Sequence, residues 1–176
     1  MIHSISKALL LLSVWATLHA CKYQSDSITA SVNETGIEAI DPIFTKNPAP
    51  EEFLSKFFTG EVSVYMMLGN DENNEYSIAN VVFNPKARTN WHSHPKGQVL
   101  LILAGEGFYK AEGEPVQAIS KGDVVNIPPH VNHWHGAASN SQFIHVALTN
   151  YQEGQNVSWG DRVTDEEYNS VLAKEK

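Results

Sequence analysis

Short runs in which hydrophobic and polar residues alternate fill the chain from Val62 to Asn150, and turn-forming residues separate them. Alternation with a period of two is typical of β-strands, whose successive side chains point to opposite faces of the sheet. Strands are predicted over residues 62–68, 76–83, 90–94, 98–103, 107–111, 116–119, 124–127, 131–137 and 143–150. Many short strands joined by glycine and proline turns predict an all-β sandwich or barrel.

Two helical segments flank the predicted strands. Residues 51–58 form a short helical turn that places Phe53, Phe57 and Phe58 against the barrel. Near the end of the chain, Thr-Asp-Glu-Glu at residues 164–167 is a capping-box sequence, which starts helices. A last helix is therefore predicted from this point to about Ala173.

The first 20 residues have the features of an export signal. Lys7 is followed by a mostly apolar run at 8–18, which is too short to span a bilayer but has the length of a signal-peptide core. Leu-His-Ala-Cys at 18–21 resembles a bacterial lipobox, and Cys21 is the one cysteine of the chain. We predict a lipoprotein signal peptide at 1–20, with a plain secretory signal as the alternative. A tether and N-terminal extension at 21–56 and a folded domain at 57–176 follow.

Composition narrows the class of protein. The chain has 42% hydrophobic and 18% charged residues, as ordinary globular proteins do, and a formal net charge of −8. The negative charge argues against nucleic acid as a partner.

Histidines provide the candidate chemistry. His92 and His94 form one His-x-His pair, and His133 and His135 form another, each within a predicted strand. Residues two apart on a strand share a face, so each pair presents two imidazoles on one side. Closing the strands into a barrel would bring both pairs inside and build a metal site.

The spacing of these residues resembles the two motifs of the cupin superfamily. His92-x-His94-x3-Gln98-x6-Gly105 resembles the first motif, with Gln98 where many cupins have Glu. The second motif is matched by Gly122-x5-Pro128-x4-His133, with His130 where glycine is usual and Ala137 where asparagine is common. The resemblance implies a cupin-type jelly-roll β-barrel with a short C-terminal helix and an internal metal ion.

A closer resemblance is to the small bacterial manganese-dependent hydroxynitrile lyases. It covers about residues 57–168 and rests on the sequences at 87–98, 122–125, 133–138 and 163–166. The resemblance implies four metal ligands, His92, His94, Gln98 and His133. It also implies that His135 and His145 act as base or cyanide partner, that Thr89 lies near the substrate oxygen, and that Ala79 and Val81 line the pocket.

Three imidazoles and one amide oxygen are neutral ligands, so a bound divalent ion keeps its full charge and acts as a Lewis acid. Nitrogen and oxygen ligands with open positions suit Mn(II), Fe(II), Co(II) or Ni(II), and Zn(II) less well because closed zinc sites usually contain cysteine. We expect the ion to be Mn(II). As an alternative to acting as base or cyanide partner, His135 and His145 would support the ligands by hydrogen bonds.

Three functions remain open at this point. The favoured one is a metal-dependent lyase that acts on a small carbonyl or cyanohydrin substrate. An iron-dependent dioxygenase and a non-catalytic exported cupin that binds metal or a small ligand are the alternatives, because fold alone does not choose among them. We also expect a homodimer, and a periplasmic or cell-surface lipoprotein that lies in the outer membrane if the host is Gram-negative.

Several residues have two readings. Trp91 and Trp134 point away from the ligands by strand alternation, into sandwich core or a dimer face. His130 follows two prolines and is expected to be exposed, whereas Arg88 is either a surface charge or the partner of an acidic residue.

Overall fold

Antiparallel strand pairing builds most of the protein in the computed structural model, which describes residues 31–32 and 38–172. Two short helices accompany the strands: α1 (Glu51–Phe57) and α2 (Asp165–Leu172). The strands are β1 (Ser31–Val32), β2 (Glu38–Ala39), β3 (Phe58–Thr59), β4 (Val62–Leu68), β5 (Tyr76–Phe83), β6 (Arg88–Thr89), β7 (His92–Ser93), β8 (Gln98–Ala111), β9 (Gln117–Ser120), β10 (Val124–Ile127), β11 (His133–Ala137), β12 (Phe143–Asn150) and β13 (Ser158–Trp159).

Strand β8 joins the two halves of the jelly roll. Its first half pairs with β10 and β12, and β12 continues through β5 to β4. Its second half pairs with β9 and β11, and β11 continues to β6 and β7. The result is an 11-stranded, nearly closed sheet, which confirms the predicted all-β jelly roll with a C-terminal helix.

Two strand predictions need correction. The strands predicted at 98–103 and 107–111 form the single strand β8, because Gly105 takes a φ of +74° and bends the strand without ending it. A Cβ at this position would lie 1.6 Å from the carbonyl oxygen of Gln142, so glycine is required. Of the strand predicted at 90–94, only residues 92–93 form a strand, β7; β6 ends before it at Thr89, and the Asn90 N–H bonds to Phe57 O of α1.

Inward side chains of the strands form the main core, which includes Phe83, Leu100 and Phe143. A second cluster lies on the outer face of β8 and β11, where Trp134 and Phe108 pack under Tyr168 of α2. Trp134 therefore does point away from the barrel interior, and α2 covers it.

The predicted capping box is present at the start of α2. The Thr164 N–H donates to Glu167 Oε2 at 2.7 Å, and the Glu167 N–H donates to Thr164 Oγ1 at 3.1 Å. The helix extends to Leu172, and the predicted end at Ala173 lies just outside the described residues.

The segment before α1 runs across the barrel and along its edge. Asn80 Nδ2, on the outer face of β5, donates to Phe44 O at 2.8 Å. The Ala49 N–H then donates to Val64 O of β4 at 2.7 Å, which leads directly into α1. Residues 47–50, part of the predicted N-terminal extension, thus lie against the barrel wall.

The predicted signal peptide and Cys21 lie outside the described residues. None of the helices within 31–32 and 38–172 has the length and apolar character needed to cross a membrane. The predicted turn at His130 is exposed, and its φ of +63° explains why glycine suits this position. Leu101 and Val124 are paired neighbours on the outer sheet face and are 40% and 63% exposed, but the homodimer stays a prediction.

Arg88 is the partner of an acidic residue and not a surface charge. Its guanidinium is buried, donates from Nε and Nη2 to Val163 O, and contacts Asp165 Oδ1 at 2.7 Å. It also lies 5.0 Å from the centre of the Tyr168 ring. Arg88 therefore ties β6 to the start of α2.

We expect Arg88→Met to lower the free energy of unfolding by about 1–3 kcal/mol, because Val163 O would be buried without a donor. Asp165→Asn is the matched control and should cost less than about 1 kcal/mol, since the Asp165 side chain is 87% exposed. Urea unfolding of both variants measures the difference. Equal losses would mean that the ion pair, and not the bond to the carbonyl, holds α2.

Candidate metal centre

Five histidines and one glutamine are buried together inside the barrel. Strand pairing brings the two His-x-His segments face to face, with His133 of β11 directly opposite His92 of β7. Their ring centres are 4.1 Å apart, and that of His94 lies 5.0 Å from His92. The sequence spacing and the sheet register therefore converge on one point in the interior.

Backbone carbonyls fix the protonation of three of these rings. Nδ1 lies 3.0 Å from Asn90 O in His92, 2.5 Å from Asn156 O in His94 and 2.9 Å from Val131 O in His133. A carbonyl oxygen only accepts hydrogen bonds, so each Nδ1 carries the proton and each Nε2 has a free lone pair. This is how proteins usually orient histidines that bind metals.

Gln98 is oriented by the same principle. Its Nε2 donates to Thr149 Oγ1 of β12 at 2.9 Å, which holds the amide in place. Its Oε1 is buried and has no partner in the described structure. Gln98 therefore presents an acceptor oxygen to the interior.

His135 and His145 differ from the other three histidines. Both rings are buried, and neither nitrogen of either ring has a hydrogen-bond partner among the described residues. Their ring centres are 4.8 Å apart, and His145 packs on Phe83 and Phe143. These two side chains are thus positioned by packing and not by hydrogen bonds, and their nitrogens are available to a ligand.

Burial keeps the imidazoles neutral. Loss of water lowers the pKa of His145 to about 3 and that of His133 to about 4. Burial also lowers the pKa of His94, and it lowers the pKa of His92 and His135 well below the ordinary value, helped by neighbouring histidines. At neutral pH the interior therefore contains neutral nitrogen donors, the form that binds a cation.

The residues fit a divalent metal ion. Buried Nε2 atoms of His94 and His133 and the Oε1 of Gln98 lack partners, and such orphan acceptors are costly unless a cation or donor satisfies them. One nitrogen each from His92, His133 and His135 also lies within 4.8 Å of the others, so a three-histidine set is a second arrangement. Both sets share His92 and His133.

A cavity of about 630 Å³ opens beside these residues, within the size range of small-molecule sites. His92, His94, Gln98, His135 and His145 line it, and so do Thr89, Ala79 and Val81. His133 does not line the cavity and sits behind His92. Thr89 Oγ1 accepts the His135 backbone N–H at 3.2 Å, so its own hydroxyl proton is free to be donated.

Sequence reasoning missed the residues that orient the ligands. Thr149 could have been found, because strand alternation places it on the same face as His145. Asn156, 62 residues from His94, carries no sequence signal, since it acts through its backbone carbonyl. Trp159 of β13 pairs with His92, and their ring centres are 4.8 Å apart. The short strand β13 was not predicted from the sequence, so this contact was not expected.

Comparison with known proteins agrees with this architecture. The cupin domain family matches residues 79–147. The (R)-mandelonitrile lyase of Granulicella tundricola is 41% identical over 112 residues, which are 64% of this chain and 86% of that enzyme. A cupin-like protein from Thermotoga maritima has a TM-score of 0.66 and 42% identity, over 74% of this chain and 97% of that one.

A predicted oxalate decarboxylase from Thermotoga maritima has a TM-score of 0.53 at 21% identity, over 61% of this chain and 94% of that one, and shows the shared fold alone. The similarity extends over 86% of the lyase and 97% of the cupin-like protein. With its jelly roll and its buried histidine cluster, the chain belongs to the cupin family.

Proposed function

We propose that this protein is a manganese-dependent lyase that cleaves a small cyanohydrin into a carbonyl compound and hydrogen cyanide. One observation carries the proposal. Beside the histidines with fixed tautomers, the cavity has two buried neutral imidazoles, His135 and His145, and none of their four nitrogens has a hydrogen-bond partner within the described part of the chain. The relative named for mandelonitrile cleavage supports the same chemistry.

The proposed ligands are His92, His94, Gln98 and His133. Each has one polar atom committed to a protein partner and a second polar atom left for the ion. His135 fits a ligand role less well, because no acceptor holds its ring in one tautomer. An ion held by four neutral ligands would act as a Lewis acid toward the substrate oxygen.

Thr89 would bind the substrate oxygen. Thr89 lines the cavity, and its Oγ1 accepts the His135 N–H, so its hydroxyl proton remains to be donated. A substrate oxygen would accept this proton. Thr89 would thereby orient the substrate beside His135 and His145.

The two free imidazoles would move the proton. One of them accepts the hydroxyl proton as the C–C bond breaks, and the electron pair of that bond leaves with cyanide. Because burial lowers the pKa of His145 to about 3, its protonated form is a strong acid and transfers the proton to cyanide, the stronger base. The products are the carbonyl compound and neutral hydrogen cyanide.

We also propose that the protein is exported and anchored by lipid on Cys21, in the outer membrane if the host has one. The apolar run before Leu-His-Ala-Cys supports this, and Lys22 after the cysteine favours the outer membrane. The tether and N-terminal extension predicted at 21–56 would join the anchor to the cupin domain.

The ligand set is testable by a pair of substitutions. We expect His94→Ala to lose stoichiometric metal and His135→Ala to retain it, measured by elemental analysis of protein purified with manganese. Metal at a hundredfold excess over its dissociation constant should stabilise the parent by about 2.7 kcal/mol, and His94→Ala should lose this gain. The exposed His130→Asn is the control and should keep both properties.

The reverse pattern would contradict this assignment. If His135→Ala loses the metal and His94→Ala keeps it, the ion is held by the three-histidine set of His92, His133 and His135.

The manganese-loaded protein should cleave mandelonitrile in the absence of oxygen. Replacing His145 with Ala should slow cleavage by ~10²–10⁴-fold, the usual contribution of a general acid–base group, while the metal stays bound. His145→Phe is a second variant that keeps an aromatic ring between Phe83 and Phe143 but removes both nitrogens. Benzaldehyde release measures the rates.

Two results would overturn the lyase. The first is a manganese form that is inert toward cyanohydrins while an iron form consumes oxygen with an enol or catechol-like substrate. The second is a parent rate in both His145 variants, which would return that histidine to a supporting role.

The anchor can be tested on protein purified from the native host. Mass spectrometry of the mature N-terminus should show a diacylated or triacylated Cys21, and Cys21→Ser should release the protein from the membrane fraction. An unmodified cysteine in soluble parent protein would exclude the anchor.

A further inference from the structure

Part of the cavity wall is formed by residues that precede the first core strand β4. Pro48, Ala49, Pro50 and Phe53 line the cavity, and so do Val64 and Met66 of β4. Among the described residues that line the cavity, none is Lys, Arg, Asp or Glu. This part of the wall is therefore apolar and offers no counter-charge to an ionised substrate group.

Hydrogen bonds at both ends of helix α1 hold Phe53 at this wall. Before the helix, the Ala49 N–H donates to Val64 O at 2.7 Å. In its last turn, Phe57 O accepts the backbone N–H of Asn90 at 2.8 Å, and Lys56 O accepts Asn90 Nδ2–H at 3.2 Å. A helix of seven residues is marginal by itself, so these bonds and its aromatic contacts fix its place.

Two phenylalanines of α1 have different surroundings. Phe53 and Phe57 lie four residues apart, on one face of the helix, and their ring centres are 5.1 Å apart. Phe57 stacks on Trp159 at 4.5 Å but does not line the cavity. Phe53 meets Trp159 edge-on at 6.3 Å and does line it. Phe57 therefore only packs against neighbouring rings, whereas Phe53 also borders the cavity.

We propose that Phe53 is a specificity-determining residue, which selects substrates that carry a flat, uncharged apolar group on the reacting carbon. The inference rests on the proposed function, which places the reacting carbon at the histidines. Phe53 and Phe58 line the cavity together with Trp159, and the Trp159 ring lies 4.8 Å from His92, so their aromatic surface adjoins the histidines. A substrate without such a group gains nothing from this wall.

Equilibrium binding to the manganese-loaded full chain tests the role of Phe53. Benzyl alcohol, which carries no cyanide and does not react, is the probe, and calorimetry measures its affinity. Phe53→Ala should weaken binding about tenfold, the loss expected for one aromatic contact. Leu54→Ala is the matched control and should stay within about twofold of the parent, because Leu54 belongs to the same helix and packs on the core without lining the cavity.

A charged probe tests the uncharged class. The parent should bind 4-(aminomethyl)benzyl alcohol, which carries an ammonium at neutral pH, at least about tenfold more weakly than benzyl alcohol, because no described cavity residue is acidic. Equal or tighter binding would mean that the aromatic wall attracts a cation, and would overturn the inference.

Catalytic rates separate this inference from the proposed function. Phe53→Ala should lower kcat/KM for mandelonitrile about tenfold and leave kcat/KM for lactonitrile, which has only a methyl group, within about twofold. Equal losses for both substrates, or an unchanged affinity for benzyl alcohol, would overturn the role of Phe53. A protein inert to both cyanohydrins whose benzyl alcohol binding still depends on Phe53 would disprove the lyase and support the wall.

Discussion

The burial of five imidazoles within one barrel is the constraint on which the rest of the structure depends. Each ring loses its water, and a protonated ring in such surroundings would be strongly unfavourable, so all five stay neutral. The nitrogens without partners among the described residues are costly unless a cation, a water molecule or a substrate donor satisfies them. These buried nitrogens therefore lower the stability of the fold at its centre, and they remain available to bind a ligand.

Hydrogen bonds divide these similar residues into two groups. A backbone carbonyl holds Nδ1–H in His92, His94 and His133, so their tautomer and direction are set before any ligand arrives. His135 and His145 have no such partner and keep both nitrogens for changing roles, which a proton carrier needs. The difference between the two groups arises from the carbonyls and the packing around the rings, and not from the imidazoles themselves.

The N-terminal segment and the metal centre meet at Asn90. This residue donates to the last turn of α1, and its carbonyl receives the His92 Nδ1–H. Trp159 adds a second contact between the two regions, since it stacks on Phe57 and packs on His92. The apolar wall of the cavity and one proposed metal ligand thus share Asn90 and Trp159 as supports.

The sequence by itself determined most of the strands, the capping box of α2 and the pairing of histidines on one face, because period-two alternation and local hydrogen bonding need only neighbouring residues. The family motifs added the proposed ligands. Tertiary structure decided which nitrogen His92, His94 and His133 present, that Gln98 bonds to Thr149, and that Phe53 lines the cavity. Those contacts join residues far apart in the chain, such as His94 and Asn156, and a backbone carbonyl leaves no mark on the residue type that bears it.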